Sequence, residues 1–473
     1  MVPMKTCRLL PTLEEAVTLS GLCDGMRISF HHHLRLGDRV VGQVLDVLQN
    51  LGLRGLTLCA SSLMGEACEA VYRAVKAGVV VKIETTGLKP PLTEAVLRGE
   101  IPEPVVFRTH GGRARAIEEG EIPIDVAFIA ASGADREGNL NGTSGINPFG
   151  SMGYAIADAR HASFVIAVTD WVSDERLAYR SIEGSLVDVL VQVPSIGDCE
   201  MVAGGSLRSS QNPMEMVIAQ QTLAVMHAAG VLTDGMNYQA GSGGISLLVT
   251  TLLEDYMHRK GVVGGFASGG ITGSLVRMAR EGLFHTLWDV QSFDREAALS
   301  LAANPFHREM SASLYANPHH PGCIAHQLDV MVLSATEVDL EFNVNSITGT
   351  DGRILGALGG GPDTAYGAAL TVVVLPSFRG RIPMVNKKVN LLCTPGAEVD
   401  VVVTERGVAV NPRRPEVQEA LRQAGLAVIS IEALMQRIHR LTGTPVLPQP
   451  NGRVVALVED RAGGVLCTMR APG

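Results

Sequence analysis

Aromatic residues are scarce, at 4% of 473 positions, while glycine is plentiful at 52. That balance favours many tight turns and close backbone approaches over the aromatic-rich core of a β-sandwich. Lysine and arginine form no run, the formal net charge is -9 and the isoelectric point is about 5.8. Nucleic acid and anionic membranes are poor partners for such a surface. Long apolar runs are missing too. Stretches such as 369–376 and 126–131 fall far short of the ~20 residues a spanning helix needs. Lys5 and Arg8 are followed by no apolar segment of the kind a signal peptide carries. The eight cysteines never form C-x-x-C and sit mostly in apolar contexts, the usage of a reducing compartment. A soluble cytoplasmic protein is expected. There is no G-x-S-x-G, H-E-x-x-H, Walker or G-x-G-x-x-G motif, and no cysteine in a catalytic context. Chemistry must then rest on loops, positioning or carboxylates.

What is present points to large cores. Apolar residues reach 46%, charged residues only 18%, and mean hydropathy is +0.21. The length suits two or three domains. The chain also repeats itself. Asp24-Gly25-Met26 recurs as Asp234-Gly235-Met236. Residues 124–145, IDVAFIAASGADREGNLNGTSG, align without a gap to residues 328–349, LDVMVLSATEVDLEFNVNSITG. The matches include Asp125/Asp329, Asp135/Asp339, Glu137/Glu341, Asn139/Asn343, Asn141/Asn345 and Gly145/Gly349. Asn212-Pro213 and Asn411-Pro412 form a third pair in the same order. Two related halves follow, 1–215 and 216–473.

Each half alternates strand and helix signals. Residues 27–30 read as a strand, 40–51 as a helix with Val41, Val44, Leu45 and Leu48 on one face, and 56–61 as a buried strand. A helix over 66–77 ends before Gly78, and a strand begins at 79. The second half repeats the pattern with a helix over 246–260, a strand over 262–268 and a helix over 274–281. Apolar strands between helices predict an α/β fold of two tandem lobes, each with a mainly parallel sheet covered on both faces.

Two glycine-rich loops are candidate anion sites, because glycine lets backbone N–H groups approach a ligand closely. Gly241-Ser242-Gly243-Gly244 opens a helix and could hold a phosphate, although a plain tight turn has the same composition. Gly359-Gly360-Gly361, followed by Asp363, suits a developing oxyanion, with Asp363 orienting the loop or acting on a bound acid. His31-His32-His33 falls at the first-half counterpart of the Gly241 loop. Adjacent residues of an extended segment point to opposite faces, so the triplet is not read as a metal site. It is read instead, with His110 and Gly111, as a set of hydrogen-bond donors beside a site for an anionic substrate. Turn and surface roles compete nearly equally for these histidines.

The segments ISFHHHLRLGD, IDVAFIAASGADREGN, AGSGGISLLVTTLLED, LWDVQSFD, FNVNSITGTDG, GGGPDTAYGA, RGRIP and VAVNPRRPE occur in this order. From residue 11 to 458 they resemble the citrate lyase alpha-subunit family, whose members are CoA-transferase-like proteins of two fused α/β lobes. The resemblance implies an enzyme exchanging acetate for citrate on a thioester carrier: acetyl-ACP plus citrate gives citryl-ACP plus acetate. It implies two partners, a lyase β subunit that cleaves citryl-ACP and an acyl carrier γ subunit, within an oligomeric complex. The carrier bears a phosphoribosyl-dephospho-CoA group for which acetyl-CoA can substitute, so no covalent cofactor is expected here. It further implies that Gly241, Ser242, Gly243 and Gly244 meet the CoA or carrier, and that Gly359, Gly360 and Asp363 form the acyl-transfer loop. His31, His32, His110 and Gly111 would then face the substrate. Related CoA-transferases carry a covalent Glu where this chain reads His285-Thr286-Leu287-Trp288-Asp289. That points to a ternary complex, with Asp289 the nearest candidate carboxylate. Family members commonly show Gly-Gly-His where this chain has Gly361. A citramalate-specific transferase, another carboxylate CoA-transferase with a covalent Glu, or a non-catalytic effector-binding protein on the same fold are the alternatives.

Overall fold

The computed structural model describes residues 6–204, 212–448 and 451–472. The first half runs strand Arg27–Phe30, helix Val40–Asn50, strand Leu56–Ala60, helix Glu66–Lys76 and strand Val80–Thr85, close to the periodicity reading. Helix Val40–Asn50 turns Val41, Val44, Leu45 and Leu48 inward, since residues three and four apart share a face. Gly78, just past helix Glu66–Lys76, takes φ 74°, the left-handed conformation that ends helices and resists side chains.

Two large sheets result, one of ten strands and one of eight. In sheet I the order is Arg8–Leu10, Val189–Gln192, Phe164–Thr169, Val126–Ala131, Arg27–Phe30, Leu56–Ala60, Val80–Thr85 and Val105–Phe107, then a terminal hairpin. In sheet II it is Gly407–Val410, Val401–Thr404, Leu370–Val374, Val330–Ser334, Asn237–Ala240, Gly264–Ile271, Phe284–Ser292 and His307–Glu309. Neighbours pair in parallel except within two hairpins, Val401–Thr404 with Gly407–Val410 and Val454–Glu459 with Val465–Arg470. Central strands such as Val126–Ala131 and Leu370–Val374 are buried along their whole length, as coverage on both faces requires.

The duplication is structural, and its polar residues show why they recur. Asp24 accepts a hydrogen bond from the Arg54 N–H, and Asp234 does the same from Val263. Gly25 and Gly235 both sit at φ 82°. Asp125 and Asp329 accept from the N–H of Arg27 and Asn237, at 2.7 Å each. Further on, Asp135 binds the N–H groups of Glu137, Asn139 and Leu177, and Asp339 those of Glu341, Asn343 and Val389. These carboxylates satisfy turn amides that would otherwise be buried without partners. The third marker is not equivalent. Asn212 caps helix Pro213–Ala228 ahead of its lobe's first strand, whereas Asn411 lies after the last strand of sheet II.

Helix Pro213–Ala228 buries Ile218, Ala219, Val225 and Met226 in the core of sheet II, so a boundary at 215 cuts through it. We place the division ahead of Asn212. The terminal hairpin joins sheet I instead of the second lobe: Ala456, Leu457 and Val458 pair with Val105, Val106 and Phe107. It covers a strand edge that would otherwise expose unpaired amides.

Candidate active site between the lobes

The carboxyl ends of several strands from the two sheets meet, which is where ligands bind in parallel α/β folds. His31-His32-His33 leaves the end of Arg27–Phe30, and all three imidazoles are buried. The His32 Nδ1 and Ser61 Oγ lie 2.6 Å apart, and the ring Nδ1 atoms of His31 and His33 face each other in hydrogen-bond contact. Tyr154 stacks on His32, His33 and His110, with ring centroids 5.1, 5.4 and 4.3 Å apart. Burial depresses all four imidazoles, to about 4 for His31 and about 3 for His110, and well below the ordinary value for His32 and His33. They are neutral at working pH, so any hydrogen bond they give a substrate is uncharged. Nε2 of His31 and Nδ1 of His110 are buried with no partner among the described residues.

Strand Phe284–Ser292 of the second lobe reaches the same place. The Gln291 amide donates to the His32 carbonyl at 2.9 Å. Asp289 is fully buried; its Oδ2 accepts from Ser292 Oγ at 2.6 Å and lies 3.0 Å from His307 Nε2. Its Oδ1 has no partner among the described residues. On the neighbouring strand Glu309 stands in register with Asp289 and accepts from the Met152 N–H at 2.5 Å and the Tyr179 hydroxyl at 3.0 Å. Burial raises both carboxyls above their usual range. Glu309, His307 and Tyr154 escaped the sequence reading, because no motif marks them and only strand register brings them in.

The Gly359–Asp363 turn docks across the lobes. The His110 N–H donates to the Gly359 carbonyl at 3.0 Å, and Leu358 donates to Thr86 at 2.8 Å. Asp363 accepts from Thr109 Oγ1 at 2.6 Å and from the Gly111 N–H at 2.9 Å. The backbone donors of His110 and Gly111 are therefore engaged by the turn and not open to a substrate. Burial pushes Asp363 up to about 7 against the pull of these hydrogen bonds. A Cβ on Gly111 would stand 1.9 Å from the Ala316 carbonyl oxygen, which explains the glycine there.

Gly241–Gly244 lies at the end of strand Asn237–Ala240, before helix Gly244–Lys260, which has no side-chain cap. Gly241 gives its N–H to the Val332 carbonyl at 2.9 Å, leaving Ser242, Gly243 and Gly244 as the candidate donors. Gly241 and Ser242 line a recess with Ser268, Gly270 and Thr272. Both glycine turns border strand Val330–Ser334: a Cβ on Gly243 would meet Ser334 Oγ at 2.4 Å, and one on Gly361 would meet Leu333 at 3.4 Å. They share one end of sheet II. A cavity of about 430 Å³ lined by Thr348, Arg353, Asn390 and Met469 lies by the terminal hairpin. It contains none of the candidate residues, which gather at the strand ends instead.

Two fused parallel α/β lobes with glycine turns and buried carboxylates between them define a CoA-transferase-like enzyme. The family model "Citrate lyase, alpha subunit" matches residues 6–471. The citrate lyase alpha chain of Escherichia coli (strain K12) is 45% identical over 464 residues, 97% of this chain and 90% of that one. A solved structure described as an alpha subunit of citrate lyase in complex with citrate, from Streptococcus mutans, superposes with a TM-score of 0.96 at 41% identity. It covers 100% of this chain and 92% of that one. The malonate decarboxylase alpha subunit of Acinetobacter baumannii shares the fold, with a TM-score of 0.68 at 16% identity over 94% of this chain and 90% of that one. The chain belongs to the citrate lyase alpha-subunit family, and it is a citrate CoA/acyl-carrier transferase. Among the described residues no helix is long and apolar enough to cross a membrane.

Proposed function

We propose that this chain moves a thioester carrier from acetate to citrate in the space between its lobes, with no covalent enzyme intermediate. A citrate carboxylate oxygen bonds to the acetyl carbonyl carbon and the carrier thiolate leaves. The thiolate then bonds to the citryl carbonyl of the mixed anhydride, and acetate leaves with the anhydride oxygen. Each addition puts negative charge on a carbonyl oxygen, which preorganised N–H donors stabilise. The Gly359–Gly360 turn supplies those donors, and Asp363 holds the turn to the first lobe. Ser242, Gly243 and Gly244 receive the carrier's phosphate-bearing end, because amides at a helix start favour anions. His31, His32 and His110 offer neutral donors to citrate, and Asp289 is the candidate carboxylate of the second lobe. The docking of the Gly359–Asp363 turn onto His110 and Gly111 is the observation that carries this reading, since it joins candidates far apart in sequence.

The carrier is an acyl carrier γ subunit with a phosphoribosyl-dephospho-CoA arm, and a lyase β subunit consumes citryl-carrier. Membership in a family whose chains are subunits of a larger enzyme supports this reading. All eight cysteines are free, which supports a reducing compartment, the cytoplasm. Purified chain given acetyl-CoA and citrate is expected to release acetate and form citryl-CoA, with citramalate as the comparison acid. A CoA–enzyme adduct trapped by borohydride or hydroxylamine would overturn the ternary-complex mechanism.

A further inference from the structure

The Gly359–Gly360 turn is pressed against a side chain that no motif singles out. Tyr315 sits on the short helix Ala312–Ala316, which Ser311 caps and which packs on helix His110–Glu118 of the first lobe. Ser313 and Asn317 anchor it there by donating to Glu118, at 2.7 and 2.9 Å. Tyr315 is 3% exposed. Its hydroxyl oxygen would lie 2.5 Å from a Cβ on Gly360, so the glycine is required by the close approach of this hydroxyl.

The hydroxyl is also oriented. Gln239, two residues before Gly241, donates its amide N–H to the Tyr315 oxygen at 2.7 Å, and Ser268 Oγ donates to the Gln239 carbonyl at 2.9 Å. Ser268 thereby completes the hydrogen bonding of the Gln239 amide. With the amide donating, the phenol proton is directed away from Gln239 and no acceptor for it is found among the described residues. Burial, with Asp363 nearby, holds the phenol above its usual range and therefore protonated. One chain of side chains, Ser268–Gln239–Tyr315, thus runs from the strand beside the carrier turn to the acyl turn.

We propose that Tyr315 is a catalytic residue, its O–H joining the Gly359–Gly360 amides as a donor to the oxyanion of the transferred acyl group. The proposal rests on the transferase reading above. Gln239 is the positioning residue that aims the hydroxyl.

Tyr315→Phe keeps the ring and removes the donor. It is expected to lower kcat about 100-fold or more, the usual cost of one oxyanion donor. KM for citrate and acetyl-CoA should stay within about threefold, since the charge on oxygen develops only in the transition state. A kcat within about threefold of wild type overturns the proposal. Gly360→Ala should lower the melting temperature, and adding Tyr315→Phe should restore part of it without restoring kcat. If Tyr315→Phe does not fold, 3,5-difluorotyrosine at 315 decides. Its phenol ionises nearer neutrality, so kcat should acquire a descending limb at alkaline pH that wild type lacks, and an unchanged profile overturns the assignment. Failure of the transferase reading is separable, because wild type itself would then release no acetate.

Discussion

Strand Arg27–Phe30 and strand Asn237–Ala240 hold the same place in their sheets, each after an Asp-Gly-Met turn with the glycine at φ 82°. Their ends differ. The first runs into three buried histidines, the second into Gly241–Gly244 and a helix of 17 residues. The frame was kept because its aspartates and asparagines satisfy backbone amides that the sheet cannot reach. One end is a packed set of neutral rings, and the other is a glycine turn in which the Gly241 N–H is bound to Val332.

The largest effect expected from that difference is in acid. Unfolded imidazoles take up protons near pH 6.5, while His31 does so near 4 and His110 near 3 in the folded chain. Below 6.5 the unfolded state holds more protons, so stability falls with pH by about 1.4 kcal/mol per unit for each such imidazole. Asp363 acts in the opposite sense: its folded value near 7 against an ordinary 3.8 means its contribution declines as pH rises through that window. Asp38 and Glu398, also raised to about 7, oppose the imidazoles in the same way, so the test is a difference: His110→Gln should lose less stability than the unsubstituted chain in urea unfolding as pH falls from 6.5 to 4. An equal slope in the two proteins would show that His110 is not held neutral.

The shared frame makes paired predictions. Asp135→Ala and Asp339→Ala should each cost about 3 kcal/mol or more, since each carboxylate holds three backbone N–H groups. Very unequal losses would break the equivalence of the lobes. Within the same turn Gly138 and Phe342 correspond, at φ 85° and 64°. Phe342 is held in a conformation its side chain resists, and it is 2% exposed. Phe342→Gly should relieve that strain yet lose more by emptying the core, a net cost of about 2–4 kcal/mol. Gly138→Ala, with Cys7 Cβ 2.5 Å from the new methyl, should cost about 1–3 kcal/mol. The smallest change is expected at Gly361→His. An added Cβ meets only Leu333, at 3.4 Å, so the melting temperature should move by no more than a degree or two, about 0.5 kcal/mol. Any change then seen in kcat or citrate KM reports on the turn and not on folding.

Much of this was legible in order along the chain. Periodicity marked the helices and buried strands, because a side chain's face is set by local geometry. The two aspartate–asparagine turns were visible as a repeat, because two of the three backbone partners of each aspartate lie within four residues. The third marker misled, since an Asn-Pro pair suits any helix start and says nothing about which helix. Gly111 reads in the sequence as a substrate donor, but its N–H is bound by Asp363, 252 residues away.

The sequence alone determined two parallel lobes, the glycine turns and the family, because these rest on local periodicity and on ordered motifs. Tertiary structure decided which groups meet. The facing of Asp289 and Glu309 depends on strand register, the pressing of Tyr315 on Gly360 on helix packing, and the return of the terminal hairpin on an open sheet edge. Those are contacts between residues distant in the chain, and burial then set the charge on each imidazole and carboxyl, a property no residue carries on its own.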